Sequence, residues 1–263
     1  MKIEQKGKRL KMTEKREEIK KQTFLEHLGE LRTRLLWSIG YLVLGFCVAY
    51  IFHKQIFHIV SLPLLELAPK QYKNVFAFHH LSEPFFTYLR LSFYAGLFFA
   101  SPFILHQLWL FISPALYKDE KKYAVPFIFF ATLLFLAGGA FGYFVGLKYM
   151  ISFFLSEAEG LVPVLTMEGY FSLAITVIVG MGIVFETPIL IFFLSILGIV
   201  DYKFLLSKFK YAIFIIFLIA AIITPSGDPI TQTVFAIPML LLYILGIFVA
   251  YLFGKKNNEK AKI

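Results

Sequence analysis

The 263-residue chain has a single cysteine, Cys47, so no intrachain disulfide can form. Charged side chains are scarce, at 16% against roughly a quarter in soluble domains. That deficit argues against an ordinary soluble domain. There is no Gly-rich Walker loop, which argues against nucleotide-driven work. No nucleophile and base stand in a recognisable pairing, and no residues have metal-ligand spacing, so neither an enzyme nor a cofactor is expected. His79 and His80 with Glu83 form the one His-rich cluster, and on a loop they read as surface residues. Residues 1–23 lack the apolar core of a secretory signal.

What the chain has in abundance is apolar sequence. Hydrophobic residues make up 59%, and 32 residues are phenylalanine. A helix crossing about 30 Å of hydrocarbon needs about 20 residues. The runs predict an all-α, polytopic membrane protein with six spans, at about 35–52, 85–111, 123–147, 169–196, 209–223 and 230–253. Residues 24–253 form the membrane domain, 1–23 a basic arm that is disordered or loosely helical, and 254–263 a short basic tail. Pro102 is expected to kink or interrupt the second span. The stretch AGGAFG in the third allows close helix packing. The fifth run is short for a crossing, and only the turn signal TPSGDP separates it from the sixth. This hairpin is expected to thin the bilayer around it.

The net charge of +9 is concentrated at the two ends and in short segments between apolar runs, as topology charge rather than a nucleic-acid footprint. Lys and Arg are denser before the first run, between the second and third, between the fourth and fifth, and in the tail. That alternation predicts both termini in the cytoplasm. Of the segments predicted outside, 53–84 is proline-rich and folds over the membrane face, and 148–168 is expected to include short surface helices.

Two places carry chemistry. Glu186, in GIVFETPIL, is a carboxylate inside an apolar run, costly there unless paired, protonated or open to a cavity. It reads either as a structural hydrogen-bond partner or as a polar docking point. At the predicted inner face, HLGELRTRL carries Glu30, Arg32 and Arg34 with Glu26 just before it, and FISPALYKDEKK carries Asp119 and Glu120. Glu30 and Arg34 have the i,i+4 spacing of a helical ion pair. These motifs read either as interfacial capping and surface pairing, or as acidic points held for a basic ligand. A planar guanidinium matches a carboxylate bidentately, so such a site can distinguish paired arginines from paired lysines.

From Phe24 to Phe253 the chain resembles the TatC family, the multispanning receptors of the twin-arginine protein translocase. The resemblance rests on HLGELRTRL, FISPALYKDEKK, FGYFVG, GIVFETP and TPSGDPITQTVFAIPMLLLY together. It implies a concave, glove-like bundle of six helices in the bacterial inner membrane. It also implies binding of signal peptides with two consecutive arginines, carried on folded cargo. Its implied partners are single-span TatA-type and TatB-type subunits, membrane lipids and further copies of itself, with the proton-motive force as the energy source. By the family's motifs, signal recognition falls on Glu30, Arg32 and Glu120, and the intramembrane polar or partner site on Glu186 and Asp228. Pro63 and Pro114 fall on structural positions. A proton-coupled carrier of a small solute, with Glu186 as its coupling carboxylate, is the alternative.

Overall fold

The computed structural model describes residues 2–68, 76–113, 124–158, 164, 166–224 and 227–253, with side chains from 27 onward. It is all-α. In chain order the helices are α1 (Lys2–Ile51), α2 (His53–Leu67), α3 (Glu83–Ile112), α4 (Ala124–Phe141), α5 (Lys148–Glu157), α6 (Met167–Phe185), α7 (Thr187–Ile196), α8 (Tyr202–Ser207), α9 (Phe209–Ile223) and α10 (Pro229–Phe253). A six-residue π-helical stretch, Gly142–Leu147, joins α4 to α5 without a break.

Five stretches among the described residues are long and apolar enough to cross a membrane: His27–Ile51, Glu83–Ile112, Val125–Glu157, Met167–Ile196 and Pro229–Phe253. The sixth apolar helix, α9, has 15 residues. At 1.5 Å per residue it reaches about 22 Å, short of the hydrocarbon thickness. Its start lies beside the middle of α10: the rings of Phe209 and Tyr243 are 5.9 Å apart, and the Tyr243 hydroxyl donates to the Leu205 carbonyl at 3.0 Å. α8 continues along the rest of α10, with Tyr202 edge-on to Tyr251.

Prolines in or beside helices deprive a carbonyl of its N–H partner. At three of them a hydroxyl supplies the missing bond. Pro102 frees the Phe98 carbonyl, which accepts from Ser101 Oγ at 2.8 Å. Pro188 frees Val184, which accepts from Thr187 Oγ1 at 2.6 Å. Pro63 frees Ile59, which accepts from the Tyr143 hydroxyl at 2.7 Å. α3 is therefore continuous through Pro102; of the kink or interruption expected there, the interruption is absent.

Small residues set the helix spacing. A Cβ on Gly96 would lie 2.5 Å from the Phe46 nitrogen, and one on Gly45 would lie 2.5 Å from the Gly96 carbonyl oxygen, so α1 and α3 cross backbone to backbone. Within AGGAFG, Gly138 faces the Met181 carbonyl, and a Cβ on Gly142 would be 2.8 Å from the Val177 carbonyl. α4 and the π stretch thus lie tightly on α6. The core gathers on α6 and α10, around Phe171, Val177, Met181, Phe235 and Met239.

The arm is helical: the helix that becomes α1 starts at Lys2. Two further expectations change. Residues 148–157 are not a separate surface helix but the continuation of the third span. Glu83 is not a surface residue but is buried, with 8% exposure, although His79 and His80 are exposed. Its carboxylate accepts from the backbone nitrogens of His79 and Glu168, each at 2.8 Å.

Candidate functional site

The start of α1 carries the first motif. Glu30 and Arg34 are half-buried and meet at 3.4 Å, Arg34 Nη2 donating to Glu30 Oε1. A long, partly solvated i,i+4 pair of this kind contributes only about 0.3–0.5 kcal/mol. Arg34 Nε is buried with no hydrogen-bond partner, so the guanidinium is incompletely satisfied. Arg32, two residues earlier, is exposed. One turn before Glu30, His27 stacks on Phe111 with ring centroids 4.6 Å apart and planes at 18°. That stack ties the start of α1 to the end of α3, three residues before Pro114. Glu120 and Pro114 themselves lie outside the described residues.

Glu186 occupies the break between α6 and α7, ending one helix and capping the next. The break is local chemistry. Pro188 enters at the start of α7, and Thr187 turns its hydroxyl back to Val184. The Glu186 nitrogen bonds to Ile183, one residue short of the α-helical register, at 3.1 Å. Its carboxylate is half-buried, and Oε1 is shielded from solvent with no hydrogen-bond partner. Gln107 Oε1 on α3 and Thr132 Oγ1 on α4 are in the same condition. The bundle therefore holds buried polar oxygens with unused bonding capacity, an arrangement that costs stability.

Asp228 and Pro63 lie at the other end of the bundle. Asp228 Oδ2 accepts from the Thr231 nitrogen at 2.6 Å and so caps the first turn of α10. Pro63 is fully buried inside α2. Around it, Tyr143 and Tyr170 donate to the Ile59 and Val60 carbonyls, and Lys148 pairs with Glu66 at 2.6 Å, holding α2 down on the third and fourth spans. The site residues thus fall in three places: Glu30 and Arg32 at one end, Glu186 within, and Asp228 and Pro63 at the opposite end.

An apolar recess of about 200 Å³ opens between α2, α3 and α6, lined by Ile56, Val60, Leu91, Phe98 and Ile178 among others. Among the described residues, no group of three or more His, Cys, Asp or Glu side chains is arranged to hold a metal ion.

Residues 26–238 match the family model of the Sec-independent protein translocase protein TatC. This chain belongs to the TatC family. It is 45% identical over 247 residues to the TatC of Koribacter versatilis, covering 94% of this chain and 91% of that protein. It is 38% identical over 240 residues to the TatC of Aquifex aeolicus, covering 90% and 98%. It also resembles the crystal structure of a twin arginine translocase receptor, TatC, at 37% identity and a TM-score of 0.74, over 86% of this chain and 99% of that one. The same receptor crystallised in DDM gives a TM-score of 0.76 at 38% identity. As a TatC, the chain is a multi-pass protein of the bacterial inner membrane and a translocase component, not an enzyme. The membership removes the small-solute carrier from consideration.

One residue that sequence reasoning placed on the surface, with no role, is Glu83. Its partners are 4 and 85 residues away in the chain, and no local pattern announces the second.

Proposed function

We propose that this protein is the core receptor of a twin-arginine translocase. It binds paired-arginine signal peptides of folded cargo and nucleates assembly with TatA-type and TatB-type single-span subunits. The observation that carries the site assignment is the His27–Phe111 stack. It sets the turn bearing Glu30 beside the end of α3, from which the chain passes directly into the segment carrying Glu120. Two carboxylates on these two segments can each engage one guanidinium. Glu30 is held only by a long contact to Arg34, so a bidentate arginine of the signal can displace that partner at little cost. Arg32, exposed on the same turn, belongs to the recognition segment, Arg34 steadies Glu30, and Pro114 shapes entry into the second segment.

Both termini lie in the cytoplasm under this reading, and six segments cross the membrane. The sixth crossing, α9, is accommodated by a bilayer thinned to its roughly 22 Å reach. The apolar part of the signal lies against the helices once the arginines are held. Glu186, half-buried at the break between α6 and α7, offers single-span partners a polar contact within the membrane. Asp228 and Pro63 hold the opposite end in shape, and Asp228 is a second candidate partner contact. Several copies associate in the assembled complex, surrounding lipids complete it, and the proton-motive force drives transport.

Export of a reporter carrying a paired-arginine signal tests the assignment. Glu30→Gln and Glu120→Gln are each expected to reduce export with the protein present at native levels in the membrane. Native export by both variants would remove recognition from these segments.

A further inference from the structure

The first turn of α6 needs partners for N–H groups that no helix supplies to itself. Its own residue Thr166 accepts from Gly169 at 3.3 Å. The other two bonds come from a distant part of the chain. The Met167 nitrogen donates to the Ala77 carbonyl at 2.9 Å, where Ala77 and Thr166 form a parallel bridge. The Glu168 nitrogen donates to Glu83 Oε1 at 2.8 Å. The other oxygen of Glu83 accepts from the His79 nitrogen at 2.8 Å. Glu83 is also the first residue of α3. One buried carboxylate therefore stands at the amino ends of two helices, where both macrodipoles favour negative charge.

The apolar recess between α2, α3 and α6 lies further along the same two helices, its lining starting at Leu91 on α3 and Ile175 on α6. Phe76, next to the bridge, packs on Phe57 of α2 and on Tyr170 and Phe171 of α6. Arg90 and Glu168 meet on the surface of the same junction at 3.5 Å. Both ends of the 53–82 connection thus converge on the start of α6, and Glu83 is the side chain that bonds to both sides.

We infer that Glu83 is a positioning residue: it locks the start of α3 to the start of α6 and so sets the spacing of these two helices, on which receptor function depends. The inference rests on the receptor reading for its functional half and on geometry alone for its structural half. Loss of the carboxylate leaves two N–H groups without partners and frees the two helix ends to separate. Glutamine keeps the shape but has a single acceptor oxygen, so it can satisfy both nitrogens only by sharing that oxygen.

The test uses the full chain in a Cys47→Ser background. Glu83→Ala is expected to raise hydrogen exchange at the Glu168 amide by roughly tenfold or more, because a bond to a charged acceptor is lost. It is expected to reduce export while the protein still reaches the membrane. Adding Ala77→Cys with Thr166→Cys allows a disulfide at the bridge, where neighbouring strands lie about 4.8 Å apart. Oxidation should restore export, and reduction should abolish it again. Native export and exchange by Glu83→Ala, or a formed disulfide without rescue, would overturn the inference. If Glu83→Ala does not accumulate, Glu83→Gln takes its place. Spin labels at Phe78→Cys and Val164→Cys then read the separation: a broadened distance distribution supports the clasp, and an unchanged one sinks it. Signal-peptide binding by the unmodified protein is measured alongside. Its absence there would fail the receptor reading and leave the exchange and distance results to decide the clasp.

Discussion

Replacing Gly96 with alanine puts a methyl group where the backbone of α1 already lies. The new Cβ would be 2.5 Å from the Phe46 nitrogen, 2.7 Å from its Cα and 2.8 Å from the Gly45 carbonyl carbon. None of these atoms is the end of a flexible side chain, so the helices must separate by about 1 Å to reach ordinary contact. Overpacking of this kind costs about 2 kcal/mol. α1 is poorly placed to absorb it, since it packs almost entirely on α3 and only 11% of its apolar window is buried. The docked population of α1 should fall roughly thirtyfold relative to the undocked one. The assay is disulfide formation between Tyr41→Cys and Phe103→Cys, whose native rings stack at 5.2 Å, with Cys47 replaced by serine. Gly40→Ala is the control: its Cβ meets nothing within 4 Å, and the exchange should help the helix by about 0.5–1 kcal/mol. Equal cross-linking in the two variants would refute the reasoning.

Three further outcomes are expected. Glu186→Ala should melt within about 1 kcal/mol of the native protein, yet lose co-purification of single-span partners; unchanged co-purification and unchanged export together would reject a docking role. Tyr143→Phe should cost about 1–3 kcal/mol by stranding the Ile59 carbonyl that Pro63 leaves free, and less in a Pro63→Ala background, where a backbone N–H is restored; strictly additive losses in thermal unfolding would contradict this. Asp228→Ala should cost about 1 kcal/mol through loss of the α10 cap, while Asp228→Asn keeps most of it; identical melting of the two variants would remove capping as the cause.

The all-α architecture was legible because apolar runs punctuated by lysines and turn residues leave few alternatives. Helix α9 spans Phe209–Ile223, an apolar stretch broken only by Lys210 and bounded by Lys208 and Thr224. The pairing of Glu30 with Arg34 was legible because a helix brings positions four apart onto one face. Proline did not interrupt α3. Its rule concerns the lost N–H, but the preceding serine can serve the orphaned carbonyl, and Ser101–Pro102 and Thr187–Pro188 both do so. The same device accompanies a continuous helix at Pro102 and a break at Glu186, so the dipeptide alone does not decide between them. Residues 148–157 read as part of an outer segment with short surface helices, since the third run was ended at Leu147, just before Lys148. That lysine instead finds Glu66 on α2, and the helix continues. Glu83 was misread because its decisive partner, the Glu168 nitrogen, lies 85 residues away and is a backbone group with no side-chain signature.

The most direct test of the receptor assignment is binding of a purified signal peptide to the detergent-solubilised protein. The peptide carries either Arg-Arg or Lys-Lys and is titrated against the native chain and Glu120→Gln. Tight binding only of Arg-Arg to the native chain, lost in the variant and in the lysine peptide, is the predicted result. Equal or absent binding in all four combinations would contradict the account.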